Sequence, residues 1–154
     1  MATSRSHVRW LCGPARVFID PRRRPGGSIL RARTDFHADR IAGLTIREDQ
    51  PVFGKAEVLV PETEWAWWTD GGNAARTPEM QRGTFAVVRR RFGPYQPRLR
   101  RIADGAEVAP GFRAVAAYGH TPGHTAFHVA DGDQQLFIWS APHFDRTPGA
   151  TLRA

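Results

Sequence analysis

One segment near the C-terminus, residues 118–125, restricts the possible folds more than any other. It reads Tyr-Gly-His-Thr-Pro-Gly-His-Thr and combines two imidazoles, two glycines and a proline. The residues before it (112–117) and after it (125–130) alternate around apolar side chains, as β-strands do. Glycine lets the backbone of a tight turn come close to other groups, and a turn between strands fixes the direction of its side chains. The pattern therefore predicts a rigid loop that presents an imidazole as a metal ligand.

The composition indicates one folded domain. The chain has 154 residues, 41% of them hydrophobic, including five tryptophans. This length supports one core and is short for two. No apolar run approaches membrane-spanning length, so we expect no membrane partner. The lone Cys12 cannot form an internal disulfide, which favours a reducing compartment and a cytoplasmic location.

The charge of the chain is strongly basic but carries no nucleic-acid-binding motif. The formal net charge is +7, and Lys55 is the only lysine, so the basicity comes almost entirely from arginine. The arginine clusters at residues 22–24, 89–91 and 98–101 are separated along the chain. Solvated protein faces explain them best, and we expect no nucleic-acid partner. A basic nucleic-acid-binding module remains the weakest of the functional alternatives.

The chain divides into three parts by composition. Residues 1–33 are rich in Arg, Pro and Gly and are expected to be poorly ordered, with residues 17–19 as a possible strand. Residues 34–141 carry the periodic apolar patterns of a domain. Residues 142–154 are short, polar and contain Pro and Gly, so an irregular tail is expected there.

The central part predicts an α+β fold. A buried strand over residues 56–60 ends at Pro61, and a helix with acidic residues in its first turn follows over residues 62–68. A second helix begins at Thr77-Pro78-Glu79 and runs to Arg91. The remaining elements are a short turn at residues 98–102 and strands at 112–117, 125–130 and 134–139. This order predicts a mixed sheet with helices packed on one face.

A second cluster of polar residues lies upstream, where residues 35–40 read Asp-Phe-His-Ala-Asp-Arg. In an extended loop the side chains of His37 and Asp39 point the same way, because they are two residues apart. An imidazole and a carboxylate suit zinc, or iron or manganese where more oxygen ligands join. The alternative is that Asp39 caps a helix beginning at Ile41 and His37 is a surface residue.

Together, the two clusters resemble the metallo-β-lactamase-fold hydrolases, a superfamily that includes the glyoxalase II enzymes. Their hallmark is a His-x-His-x-Asp-His loop after a strand, followed downstream by a turn like Gly-His-Thr-Pro-Gly-His. The similarity covers residues 34–139. It implies a metallo-β-lactamase-like αββα sandwich, of which this chain contains about one half. An incomplete sandwich leaves a sheet face uncovered, and we expect possible self-association through that face.

The resemblance also implies site residues. His37 matches the second histidine of the first motif, Asp39 matches its aspartate, and His120 matches the third histidine ligand. Asp35 replaces the first histidine and can still donate an oxygen to a metal. The implied ligand set is therefore His37, Asp39, His120 and Asp35, with Asp39 also orienting the attacking water. His124 is expected to stabilise the turn.

Three features depart from the family pattern. Arg40 replaces the last histidine of the first motif and places a positive charge where a second metal would lie. The bridging aspartate of the family is expected where residues 139–141 read Trp-Ser-Ala. The second half of the sandwich, with its distal histidine, is missing. We therefore expect at most one zinc ion, and a structural role for the mid-strand His128.

The activity implied by the resemblance is zinc-dependent hydrolysis. A metal-bound hydroxide would attack an ester, thioester, lactone or amide-type bond of a small-molecule substrate. The main alternative is an inactive truncated relative that keeps part of the fold and lacks a competent metal site.

Overall fold

The computed structural model describes the backbone of residues 7–12, 17–19 and 30, and the backbone and side chains of residues 31–140. The expected tail at residues 142–154 lies outside the described residues. The strands in the described part are β1 (His7–Cys12), β2 (Val17–Ile19), β3 (Leu30–Ala32), β4 (Glu57–Pro61), β5 (Leu99–Ile102), β6 (Glu107–Ala109), β7 (Phe112–Ala116), β8 (Thr125–Asp131) and β9 (Gln134–Trp139). The α-helices are α1 (Ala38–Ile41), α2 (Glu62–Thr69), α3 (Gly71–Arg76) and α4 (Glu79–Phe92), and 3-10 turns occupy Ala42–Leu44, Arg47–Asp49 and Gly93–Arg98.

The strands form two sheets where the sequence predicted one. The five-stranded sheet has the order β1-β9-β8-β7-β6; β6 to β9 are antiparallel, and β1 lies parallel to β9. The four-stranded sheet has the order β2-β3-β4-β5, with β3, β4 and β5 parallel and β2 antiparallel to β3. Parallel neighbours need long connections, so the partners of this second sheet are far apart in the sequence. Local patterns could not separate the two sheets for this reason.

Strand β4 shows how the layers are stacked, because its side chains alternate between two cores. Val58 and Val60 point into a core formed with the helices, whereas Leu59 points into a core shared with the five-stranded sheet. All three side chains are fully buried. The layer order is therefore helices, four-stranded sheet, five-stranded sheet. This is the α+β class and the partial αββα sandwich that the sequence predicted.

Helices α2 and α4 begin and end close to where the sequence predicted. Helix α2 follows Pro61 and has Glu62 and Glu64 in its first turn, where carboxylates interact favourably with the helix dipole. Helix α4 follows Pro78 and buries Phe85, Val88 and Phe92 against the core. No helix within residues 31–140, or in the short stretches described before them, is long and apolar enough to cross a membrane.

Two segments differ from the sequence-based expectation. Residues 1–33, whose composition indicated little regular structure, contain β2 at the possible strand of residues 17–19, and also β1 and β3, which were not predicted. Residues 99–102 were expected to lie in a turn, and this expectation was wrong, because they form β5 and pair with β4. In both cases the strand exists because a distant strand offers it a hydrogen-bonding partner. Tertiary pairing overrides a weak local preference.

Tyr95 connects the segment between α1 and β4 to the helical core through its side-chain hydroxyl. Its hydroxyl donates to the Leu44 carbonyl at 2.5 Å and accepts from the Phe53 amide at 3.1 Å, and the side chain is fully buried. We expect Tyr95→Phe to lower the free energy of unfolding by about 1–3 kcal/mol, because a buried carbonyl and a partly buried amide both lose their partner. Urea unfolding measures this change. A loss below about 0.5 kcal/mol would show that other groups satisfy these two backbone atoms.

Candidate metal centre

Two loops, one from the four-stranded sheet and one from the five-stranded sheet, meet at the candidate site. The first loop follows β3 and contains residues 33–37, and the second connects β7 to β8 through residues 117–124. The amide of Thr125 donates to the Thr34 carbonyl at 2.9 Å and joins the two loops at their base. Gly119 in the second loop has a φ of 128°, a conformation that side chains other than glycine rarely adopt. The two sheets thus bring both polar clusters of the sequence together.

Asp35, His37 and His120 form a group whose potential ligand atoms all lie within 4.8 Å of one another. His37 Nδ1 lies 3.0 Å from His120 Nε2 and 3.5 Å from the Asp35 Oδ1 atom. In a tetrahedral zinc site with bonds of about 2.0–2.1 Å, ligand atoms are separated by about 3.3 Å. Two ring nitrogens that face each other at 3.0 Å also require a proton or a cation between them. The donor set and its spacing fit one zinc ion.

Asp35 is held in place as a buried carboxylate. Its Oδ1 accepts from the His37 amide at 3.0 Å, and its Oδ2 accepts from the Ser140 hydroxyl at 2.5 Å. Thr34 in turn donates to the Ser140 hydroxyl oxygen at 2.7 Å. Burial by itself would raise the pKa of Asp35, but hydrogen bonds from His37 and Ser140 outweigh it and hold the pKa well below its usual range. Asp35 is therefore ionised, as a metal ligand must be.

His37 has the opposite shift. Its interaction with the Asp35 carboxylate raises the pKa of the His37 imidazole above its ordinary value, and partial burial opposes this rise only in part. The ring also lies near Trp68, with 6.4 Å between the ring centroids. A cation that replaces the proton on this ring would keep the favourable interaction with Asp35.

His124 lies next to the group but serves the turn. Its Nδ1 donates to the Ala117 carbonyl at 2.9 Å, and its Nε2 lies 3.2 Å from the Ser140 hydroxyl oxygen. The side chain is buried, and this burial lowers the pKa of the imidazole, which favours the neutral ring. Both ring nitrogens have partners within the protein. The expected role of His124 in stabilising the turn agrees with these contacts.

Asp39 is not brought into this group. An extended loop was expected through residues 37–39, but α1 begins at Ala38 and includes Asp39 in its first turn. Successive side chains of a helix are rotated by about 100°, so the two-residue spacing no longer places Asp39 beside His37. Its carboxylate is 67% exposed and lies 3.4 Å from Arg40 Nη1. The ligand and water-orienting roles expected for Asp39 stay predictions.

Arg40 places a fixed positive charge beside the group. Its Nη2 donates to the Ser140 carbonyl at 3.0 Å, and its Nε lies 3.9 Å from Asp35 Oδ2. With the Asp39 contact, the guanidinium is surrounded by two carboxylates and a carbonyl. These are the groups that would otherwise attract a second cation.

Sequence reasoning missed Glu64, a fully buried carboxylate near the site. Its position in the first turn of α2 suggested only an interaction with the helix dipole. Its oxygens instead accept hydrogen bonds from the polar loops. The one signal in the sequence was Trp68, four residues later, because an indole N–H at this spacing on a helix can reach the carboxylate.

No protein-family model matches the sequence, and a search of curated proteins finds no match. Solved structures are similar in fold. A hydrolase of the beta-lactamase superfamily, AbOPH, matches with a TM-score of 0.64 and 20% identity, over 73% of this chain and 51% of that chain. AidC, a dizinc quorum-quenching lactonase in complex with a product, matches with a TM-score of 0.60 and 17% identity, over 74% and 52%. A probable metal-dependent hydrolase from Staphylococcus aureus matches with a TM-score of 0.57 and 24% identity, over 70% and 36%.

These matches have two consequences. At identities below 25% they show the fold alone. The chain also spans about half the length of the first two of these proteins and 36% of the third. It therefore corresponds to part of their structure.

Proposed function

Because the chain has a partial metallo-β-lactamase fold, we propose that it is a metal-dependent hydrolase that holds one zinc ion through Asp35, His37 and His120. The observation that carries this proposal is the convergence of these three ligand atoms within 4.8 Å from two separate loops. Three protein ligands with one open position are typical of catalytic zinc sites. Zinc bound there would lower the pKa of a coordinated water towards neutrality and polarise the bond to be cleaved.

Hydrogen bonds within the protein orient the proposed ligands in the absence of metal. Asp35 is fixed by hydrogen bonds from the His37 amide and the Ser140 hydroxyl, and His37 already faces His120. Ligands oriented in this way need little rearrangement on binding, which increases metal affinity. We propose a small-molecule ester, thioester, lactone or amide as the substrate. The dizinc lactonase among the structures of similar fold supports the lactone within this range.

The positive charge of Arg40 supports one metal ion rather than two. The guanidinium lies beside Asp35 and Asp39 and would repel a second cation at that position. We expect at most one zinc ion per chain in protein equilibrated with excess zinc and then freed of unbound metal. Elemental analysis by mass spectrometry measures this ratio. Two tightly bound ions per chain would contradict the assignment.

The main alternative is a truncated relative without a competent site. The replacement of family ligands at positions 35 and 40 and within residues 139–141 favours it. Ser140, the middle residue of 139–141, however, contacts the other two positions, because its hydroxyl donates to Asp35 and its carbonyl accepts from Arg40. The replacements thus form one hydrogen-bonded group. We interpret this as a rebuilt site with a single metal.

One experiment distinguishes a zinc-dependent hydrolase from a relative without a competent metal site. Purified protein is loaded with zinc, and its hydrolysis of an aryl ester, a thioester and a lactone is compared before and after chelation. The hydrolase proposal expects stoichiometric zinc and turnover of at least one substrate that chelation removes. A protein that binds no zinc at micromolar concentrations supports the alternative of a relative without a competent metal site. A protein that binds zinc and hydrolyses none of the three classes contradicts the proposed activity but not the metal site.

Zinc affinity should depend on pH through His37. Its raised pKa means that the ring holds its proton to a higher pH than an ordinary histidine, and that proton must leave before the nitrogen can bind metal. We therefore expect zinc to bind more tightly at about pH 8 than at about pH 6. Competition with a chromophoric chelator at both pH values measures this. Equal affinity at the two values would contradict a zinc bond to His37.

Two expectations from the sequence remain separate proposals. The cytoplasmic location is one, and fractionation of cells that express the protein tests it. Self-association through the face of the five-stranded sheet that points away from the four-stranded sheet is the other. His128 and Phe137 stack on each other there, and their side chains are only partly buried. Sedimentation velocity over a range of protein concentrations tests this association.

A further inference from the structure

Glu64 is the buried carboxylate on which both ligand loops converge. It is fully buried, and each of its oxygens accepts two hydrogen bonds. The donors are the Phe36 amide at 3.0 Å and the Trp68 indole at 2.8 Å to Oε1, and the Thr121 hydroxyl and the Gly123 amide, each at 2.8 Å, to Oε2. Such a carboxylate is stable in the interior only while its donors remain in place.

These contacts divide between the loops that carry the ligands. Phe36 lies between Asp35 and His37, so Oε1 holds the first loop directly at the ligand positions. Thr121 follows His120, so Oε2 holds the second loop. We propose that Glu64 is a positioning residue that sets the distance between the His37 and His120 rings and thereby the affinity of the site for metal. It would act without contacting the metal, and the part of this inference that concerns affinity rests on the proposed function.

The packing around Gly123 supports this role. A Cβ atom on Gly123 would lie 2.0 Å from the Glu64 backbone nitrogen and 2.5 Å from its Cα. The second loop therefore lies directly against the first turn of α2, with no space between them. Helix α2 in turn packs on β4 through the helical core. Glu64 thus connects both loops to a rigid part of the fold.

The chemistry requires a carboxylate at this position rather than an amide. All four partners donate, and a carboxylate accepts at both oxygens. The side-chain amide of glutamine has one accepting oxygen and one donating NH2 group. Among the four partners only the Thr121 hydroxyl can turn to accept, so at least one N–H group would face the NH2 group. Glu64→Gln has almost the same size and shape but breaks at least one hydrogen bond to a loop that carries a ligand. The variant therefore tests position rather than packing.

The experiment compares zinc binding by the native protein with that of Glu64→Gln. We expect affinity to fall about 10- to 100-fold, the range found when groups that orient metal ligands are removed. Thr121→Val removes one donor of nearly the same shape and should give a smaller loss, whereas Thr121→Ser keeps the hydroxyl and should bind as the native protein does. If Glu64→Gln does not fold, the Thr121 pair decides the question. Native affinity in Glu64→Gln, or equal loss in Thr121→Val and Thr121→Ser, would overturn the proposal.

Val88→Ala serves as the control for a general loss of stability. Val88 is fully buried in the helical core and is not part of either loop. Zinc affinity should be unchanged in this variant at a temperature where it is folded. A loss equal to that of Glu64→Gln would mean that any core defect weakens the site, and this would overturn the specific role of Glu64.

A second readout needs no metal. In metal-free protein labelled with 15N, the facing His37 and His120 nitrogens share a hydrogen bond, which shifts their side-chain resonances. Glu64→Gln should move these resonances towards the positions of free imidazoles, and Val88→Ala should not. Unchanged resonances in Glu64→Gln would overturn the positioning role. Native protein that binds no zinc would instead contradict the proposed function, and the histidine resonances would still decide the role of Glu64.

Discussion

In the His120→Ala variant we expect zinc binding to be lost. His120 supplies one of three ligand atoms, and its Nε2 faces His37 Nδ1 at 3.0 Å. Residues that only orient a ligand already change metal affinity about 10- to 100-fold, so removal of a ligand should weaken binding by more than about 100-fold. Isothermal titration of metal-free protein with zinc measures the change, and His37→Ala should behave in the same way.

His128→Ala is the matched control, because it removes the same atoms from a histidine in the neighbouring strand. His128 Nε2 lies 3.1 Å from the Gln135 side-chain oxygen, and its ring stacks on Phe137. It does not belong to the group of potential ligands among the described residues. We expect it to bind zinc as the native protein does. Equal loss in the two alanine variants would contradict the assignment of His120 as a ligand.

Gly123→Ala should strongly destabilise the protein. The added methyl would meet backbone atoms of Glu64 at 2.0 and 2.5 Å, and backbone cannot move aside as a flexible side chain can. Overpacking of this kind costs about 1–3 kcal/mol. Displacement of the Gly123 amide from Glu64 would add about 1–3 kcal/mol for the unsatisfied group. We therefore expect a loss of about 2–6 kcal/mol in the free energy of unfolding, measured with urea.

Gly83→Ala is the control for this substitution. Gly83 lies on the exposed side of α4, and no atom lies within 4 Å of the position a Cβ would take. Alanine stabilises a helix relative to glycine by about 1 kcal/mol, so this variant should be more stable than the native protein. The two variants should therefore differ in sign. If Gly123→Ala has a stability within about 0.5 kcal/mol of the native protein, the close contact with α2 is wrong.

The elements that local patterns describe were predicted well. The strand that ends at Pro61, the two longer helices and the three C-terminal strands lie where apolar periodicity and proline positions placed them. Strands β1 and β5 were not predicted, because each depends on a partner far away in the sequence. The assumption of a single sheet failed for the same reason. Parallel strands are joined by long connections, so no local turn pattern in the sequence indicates which strands pair.

The candidate site shows the same division. The family resemblance, carried by the residue types and spacing of the two motifs, implied Asp35, His37 and His120 as ligands, and this ligand set stays a prediction. The same spacing also included Asp39, because nothing in residues 37–39 revealed that a helix begins at Ala38. Glu64 was assigned to the helix dipole, since its four donors come from positions up to 59 residues away. Ser140 attracted notice only as a replaced residue.

The sequence by itself determined which donor atoms this protein can offer to a metal and where α2, α4, the strands with a clear local pattern and the tight turn at residues 118–125 form. These properties depend on neighbouring residues, whose preferences for dihedral angles and burial act over a few positions. Only the tertiary structure decided that two loops 83 residues apart bring their imidazoles to 3.0 Å. That distance depends on the stacking of two sheets and on a buried carboxylate that must keep all its donors, and both are properties of the assembled chain.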